Sequence, residues 1–379
     1  MRLYAKFITV LCLLLTACSK DGVSENPITT AQNVDVNYSI LQTSDDILSE
    51  VNIIADKENI LASNRSQAFE SIAMPVLTNF SLDQALFYKN TLDCTGELLN
   101  YDLDKDTSNE FYFFKDSKNC DRQIYAIKTA ETRFFVLYSL PGDFLKDEKY
   151  YLRLVDNKDL ESGFEDFEMD KKPTQLVYAN ERLFVLVEDI TLGNVYSVQV
   201  FDLQKKEWIV EINLGDQVER LIRTPNNNLI ITYPDLHNVY STITLDILSS
   251  TRYLAGTEPH LGETEIHHFG PDGKVYFASS TNLNGTLYPQ IPAVFDFERN
   301  TTILYYYENF LTEEEQRFEF DIGNTTAVAY DSKNNLMLIG YQKSQNPNKG
   351  GLIRIKPAPN PKMVDQTNLD GIPLYIYSE

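Results

Sequence analysis

Histidine and cysteine are scarce in this chain: four of each among 379 residues, beside a single tryptophan. It contains no Gly-x-Ser-x-Gly elbow, no phosphate-cradling glycine loop and no Cys-x-x-Cys pair. The signatures of serine hydrolases, nucleotide enzymes and thiol-redox proteins are therefore missing. Basic residues are outnumbered 33 to 55, for a net charge of −22. A surface of that sign repels phosphate backbones, which argues against nucleic acid as a partner. After residue 17 no apolar run approaches the roughly 20 residues that a membrane-spanning helix needs.

What is present begins at the N-terminus. Arg2 and Lys6 precede an apolar stretch from Phe7 to Leu15, which stops at Thr16-Ala17-Cys18. A basic start, a short apolar middle and small residues at the cut describe a secretory signal peptide over residues 1–17. Leu15-Thr16-Ala17-Cys18 resembles the lipobox of bacterial lipoproteins, in which the cysteine takes lipid on its sulfur and becomes the acylated first residue. The resemblance implies a lipid anchor at Cys18 and a polar tether over residues 18–36. The mature net charge becomes −24 once Arg2 and Lys6 leave. Several acyl chains anchor firmly, at about 0.8 kcal/mol per buried CH₂. Ser19 is compatible with release to the outer membrane. Lys20-Asp21 partly matches the surface-export signal of Bacteroidetes lipoproteins, with Gly22 where a second acid would stand. The expected place is the outer membrane, with the cell surface ahead of the periplasmic face. The alternative is an ordinary signal peptide cut near Ala17, with Cys18 incidental.

Cys12 leaves with the signal and Cys18 carries lipid, so Cys94 and Cys120 remain as a pair in an exported chain. A disulfide between them is expected. It would close a loop of about 27 residues and stabilise by roughly 3–4 kcal/mol on the chain-entropy model.

The body of the chain repeats. "TPNNNLIITY" (224–233), "GPDGKVYFAS" (270–279) and "DSKNNLMLIGY" (331–341) share turn residues followed by a short β-rich run. Asn-Asn and Asp-Gly supply the positive-φ positions that tight hairpin turns demand. Looser copies are "SLDQALFYK" (81–89), "TAETRFFVLY" (129–138) and "YANERLFVLV" (178–187). The first apolar residues after the turns are Leu86, Phe134, Leu183, Leu229, Val275 and Leu336, spaced 48, 49, 46, 46 and 61 apart. A second landmark runs in step: an Asp expected at a strand end, at Asp102, Asp156, Asp202, Asp246 and Asp296, with Lys356 in the sixth copy. Each unit reads as four strands, and such a unit repeating every 40–50 residues is the signature of a β-propeller. Each blade has two apolar faces, and packing blades round an axis buries both. The fold class is thus all-β, a β-propeller of four-stranded antiparallel blades over residues 74–379. Six blades fit there, with seven or eight as alternatives. Residues 37–73 form an N-terminal segment that reads as a closing strand or a partial blade. The long sixth spacing holds an insertion, "ENFLTEEEQRFEFDIG" (308–323), with a short helix expected from Thr312. "GIPLYIYSE" (371–379) reads as a terminal strand that closes the ring.

The lipobox, the residues after it and the repeat together resemble the six-bladed, TolB-like propeller lipoproteins of Bacteroidetes outer membranes. Propeller subunits of the BamB kind are related in architecture. Their Ala-x-Asp-x-x-Thr-Gly-x-x-x-Trp blade pattern is absent here, and only "FDLQKKEW" (201–208), ending in Trp208, echoes it.

The remaining chemistry is thin. "EPHLGETEIHH" (258–268) gathers His260, Glu263 and His267 as weak metal candidates, with His237, Glu258, Glu265 and His268 nearby. His267 and His268 are adjacent on a strand, so they face opposite ways. Asp102, Asp104 and Asp106 have calcium-loop spacing, but Thr107 and Phe113 stand where Gly and Glu are needed. A solvated turn is the expectation. No catalytic residue, metal or cofactor is assigned. The function expected is a lipid-anchored, non-enzymatic binding or scaffold subunit of an envelope protein complex, held to the membrane by its lipid. The alternative is a surface-exposed hydrolase or lyase acting on glycan or peptide.

Overall fold

The computed structural model describes residues 35–65, 71–81, 83–117, 119–130, 132–142, 148–156, 158, 163–193, 195–263, 268–270, 272–280 and 288–378. The stretches read above as signal peptide and tether, Cys18 included, lie outside the described residues except for Asp35 and Val36. From Asp35 onward the chain forms one unit. Its strands fall into seven antiparallel sheets arranged as the blades of a propeller. Six of them are consecutive four-stranded meanders, from Leu77–Ser81 through Lys362–Leu369.

The seventh sheet is assembled from both ends of the chain. Val36–Ser44, Ile47–Ala55 and Ile60–Arg65 supply three strands, and the C-terminal strand Ile372–Ser378 pairs antiparallel with the first of them, Ile376 opposite Ile40. The ring therefore has seven blades, the alternative count, where the linear repeat favours six. The short strand Ile72–Ala73 also pairs with Ile47–Ala55, and the extra blade escapes the repeat because its innermost strand lies almost 300 residues or more from its other four. It is called blade 1 below, and the sheets that follow are blades 2 to 7.

The landmark residues take consistent places. Leu86, Phe134, Leu183, Leu229, Val275 and Leu336 all lie at or next to the start of the second strand of their blades, within three residues of it. Asn227, Asn335 and Gly273 hold positive φ in the turns before them, as the turn chemistry requires. In the shortest hairpins both central residues do so: Asp45-Asp46 and Asn180-Glu181. Asp102, Asp156, Asp202 and Asp296 end third strands, and each accepts backbone N–H groups two or three residues on. The recurrent acid is thus a turn former. Asp246 departs from the pattern. The third strand of blade 5 is Leu236–Tyr240, and "TITLDIL" is largely the turn after it, with Leu245 at positive φ. Thr242 is buried there and donates to the Asn227 carbonyl at 2.6 Å, which holds the segment as a turn.

Among the described residues seven apolar clusters fill the seven blade interfaces. Leu86, Phe134 and Val136 pack between blades 2 and 3. Val36, Tyr38, Leu338 and Leu352 pack between blades 7 and 1, so the last interface is as apolar as the others. Fully burying a Leu, Val or Phe is worth roughly 1.5–3 kcal/mol, which is what a flat sheet gains from a neighbour on each face.

Two buried arginines add polar ties between blades. Arg153 forks onto Asp166 of its own blade and reaches Asp116 and the Phe113 carbonyl of blade 2. Arg354 forks onto Asp365 and reaches the Asp56 carbonyl and the Tyr38 hydroxyl of blade 1. The insertion begins as expected at Thr312, whose backbone N–H donates to Glu315 while its hydroxyl accepts from the Glu315 N–H, a capping box. It continues as a π-helical turn, Glu315–Glu319.

Candidate functional site: the ring axis and an open blade edge

The first strands of successive blades pack on one another, so they line the axis. Gln123–Ala130 of blade 3 carries Lys128, whose ammonium donates to Asn79 Oδ1 of blade 2 at 2.7 Å. Arg220–Arg223, the first strand of blade 5, carries an arginine at each end. Arg223 donates to the Tyr178 carbonyl of blade 4 at 3.4 Å. Part of Lys128 still meets solvent, and Arg223 is exposed. Burial, then repulsion from Arg223 and Arg220, pushes the Lys128 ammonium down to about 8. Nothing in the linear sequence marks Lys128 as an axial residue.

Of the sequence-predicted metal candidates only His260 is described with its side chain. His260 is exposed, the Glu263 backbone lies in a single turn whose side chain is not described, and His267 lies outside the described residues. Among the described residues no group of three His, Cys, Asp or Glu side chains is placed to hold a metal ion. His237 is 2% exposed and part of the blade 5–6 interface, its ring packed on Tyr253, Phe295 and Phe297. Burial lowers its pKa to about 4, so it is neutral. In the calcium-like stretch Asp102 pairs with Lys105 at 2.6 Å, and Asp106 accepts from Tyr101. Those acids serve the turn. Cys94 and Cys120 are joined as a disulfide, Cα to Cα 4.9 Å, and Arg122 donates to the Cys94 carbonyl.

Two surface features remain. A groove of about 430 Å³ between the outer strands of blades 3 and 4 is lined by Glu168, Asp170, Gln199, Trp208 and Glu211. Its polar groups engage one another: Gln199 donates to Asp170 at 2.7 Å, and Glu211 accepts from Ser197 and Lys171. The outer strand of blade 5, Ile247–Arg252, is different. It pairs only with Leu236–Tyr240, and it begins Ile-Leu-Ser-Ser-Thr with no charge. Ile247, Leu248 and the neighbouring Ile243 and Leu254 are all more than half exposed. The outer strands of blades 2, 3 and 4 carry acids instead, at Glu110, at Glu165, Asp166 and Glu168, and at Glu207 and Glu211.

No family model and no curated protein matches this sequence. Solved structures do match in fold. A Bacteroides fragilis protein assigned as a candidate 6-phosphogluconolactonase is similar over 93% of this chain and 99% of its own, with a TM-score of 0.52 and 11% identity. The β-propeller domain of the Trilobed protease from Pyrococcus furiosus is similar over 88% and 98%, at 0.48 and 12%. Pyrococcus horikoshii acylaminoacyl peptidase matches over 84% of this chain and 51% of its own, at 0.48 and 12%. The likeness is one of fold. Propellers of several kinds, enzymes among them, share it, so activity has to be argued from this chain's own residues.

Proposed function

We propose that the protein is a lipid-anchored, non-enzymatic binding subunit of an outer-membrane protein complex, tethered through Cys18. The observation that carries this reading is the apolar edge of blade 5. An outer strand open along one side, with exposed Ile and Leu and its one charge, Arg252, at the far end, invites a partner strand. The partner is a protein segment in extended conformation, which adds to Ile247–Arg252 and covers Ile243, Ile247, Leu248 and Leu254. Acids on the outer strands of blades 2, 3 and 4 turn such segments away there. The lipid at Cys18 confines the search for that partner to the membrane surface.

The test uses full-length protein extracted in detergent from its native membrane. A stoichiometric partner should co-purify with the parent. It should be lost from the double variant Ile247→Lys, Leu248→Lys, and retained by Glu168→Lys on blade 3. If the double variant melts like the parent and keeps its partner, docking at this edge is wrong. Cys18→Ala should move the protein to the soluble fraction, and unchanged membrane fractionation would remove the anchor from the reading.

A further inference from the structure

A second docking surface, independent of the blade 5 edge, lies on one face of the ring. In each blade, counted outward, the loop between the second and third strands and the connection to the next blade lie at one end. The other two turns lie at the opposite end. Like ends meet between blades: Asn348 donates to Asp45 from loop to loop of blades 7 and 1, and Asn180 to Thr242 from turn to turn of blades 4 and 5. The face of the turns is polar, with Ile243 the one exposed large apolar side chain among its described turn residues. The face of the loops and connections is not. Val76 is 65% exposed, Phe318 77% and Leu92 wholly, with Ile47 and Met74 also exposed, and Ile190 and Leu192 on blade 4. Hydrogen bonds join the segments that carry the first five into one arc over blades 7, 1 and 2. The Ser344 N–H donates to the Asp321 carbonyl at the end of the insertion, Asn348 reaches Asp45, and the Met74 N–H donates to the Asp46 carbonyl. The Val76 N–H then donates to the Tyr88 carbonyl, and Leu92 follows in the loop after it. Phe318 is held out rigidly: Gln316 is buried, accepting from the Tyr288 hydroxyl at 2.9 Å and donating to the Leu311 carbonyl at 3.0 Å, and Phe320 is buried too. An aromatic anchor fixed in advance binds at low ordering cost.

We infer that this arc docks a protein whose apolar surface is rimmed by lysine and arginine. Charge selects the occupant. Lys89, Arg317 and Lys349 are paired with Glu97, Glu313 and Asp370. The charge left over, at Asp45, Asp46, Asp93, Glu314 and Glu319, outweighs Lys343 and is negative. It opposes anionic lipid and a second copy of this acidic chain alike. The chain also enters the ring at the other face, where Val36 pairs with Ala55, so the arc points away from the point of entry.

The experiment places a photo-cross-linking residue singly at Val76, Leu92 and Phe318, and at Lys105 and Lys205 on the polar face, in full-length protein in its native membrane. The same protein should be captured from the first three positions and not from the last two. Mass spectrometry should place the cross-links on apolar side chains flanked by lysine or arginine. Leu92→Lys with Phe318→Lys, exposed changes that leave melting unaltered, should lower the yield from Val76 by about tenfold. Ile247→Lys, Leu248→Lys should leave these cross-links in place, which separates this surface from the blade 5 edge. Cys18→Ala protein, mixed with phosphatidylcholine vesicles, should stay at the bottom of a flotation gradient. Cross-links to lipid or to a second copy, equal capture from both faces, capture from neither, flotation, or an unaltered yield in the lysine double variant of the arc would each overturn the proposal.

Discussion

The hydroxyl of Tyr38 donates to the carboxylate of Asp331 at 2.6 Å, across 293 residues of sequence. Tyr38 lies on the first N-terminal strand, and Asp331 ends the first strand of blade 7. The bond ties the two blades at the point where the ring closes. Asp331 also accepts from the backbone N–H groups of Lys333 and Asn334, so the closure and a blade 7 turn share one carboxylate. Burial drives the Tyr38 hydroxyl upward, which keeps it a donor at every physiological pH.

Tyr38→Phe keeps the apolar packing and removes this donor. Stability should fall by about 1–2 kcal/mol, the cost of leaving buried acceptors with one partner fewer. Arg354→Met should be worse, at roughly 3–5 kcal/mol, because Asp365 is left without its cation. Urea unfolding of both variants checks the order. If Arg354→Met is the milder change, the closure network has been misread.

Deleting residues 372–379 removes the closing strand. Tyr375 and Ile376 are buried, each worth roughly 1.5–3 kcal/mol, and Val36–Ser44 would become an open edge. A large drop in melting temperature with aggregation is expected. Melting within a degree or two of the parent would mean that the ring does not depend on this strand.

His237 makes stability depend on pH. Its folded pKa, near 4, lies below its ordinary 6.5, so the neutral form favours the folded state. The contribution is fully present above about pH 6.5 and is lost as pH falls towards 4, reaching roughly 3 kcal/mol by then. His237→Phe should flatten that part of the stability profile between pH 7 and 4. A profile of the same slope in the variant would assign the acid sensitivity to other groups.

Reduction of Cys94–Cys120 releases a loop whose ends stand 26 residues apart. A Cys94→Ser, Cys120→Ser variant should lose roughly 3 kcal/mol or less, since native strain and residual structure often reduce the entropic gain. Non-reducing peptide mapping of the parent should recover the two cysteines joined. Both appearing as free thiols in unreduced protein would end the argument.

The sequence showed the blade more clearly than the ring. Turn residues before Leu229, Val275 and Leu336 and the acids at Asp102, Asp202 and Asp296 were legible because hairpin geometry demands them locally. Blade number was not, because the split blade leaves an incomplete pattern at each end of the chain. Asp246 misled for a related reason: the strands of blade 5 are short, and an Asp after apolar residues looks alike in a turn and at a strand end. The axial place of Lys128 was invisible, since it is one lysine among many until the ring sets its strand beside Asn79 of blade 2. The blade 5 edge could have been found from Ile247-Leu248-Ser249-Ser250-Thr251, an outer-strand sequence without charge.

The split blade also decides how the molecule bears force. Tension arriving through the chain at Asp35 enters Val36–Ser44, which is hydrogen-bonded along both sides, to Ile47–Ala55 and to Ile372–Ser378. A pull along that strand has to shear two ladders together, where a pull on a terminal hairpin would peel one bond at a time. The proposed anchor at Cys18 would therefore pull on the clamped strand.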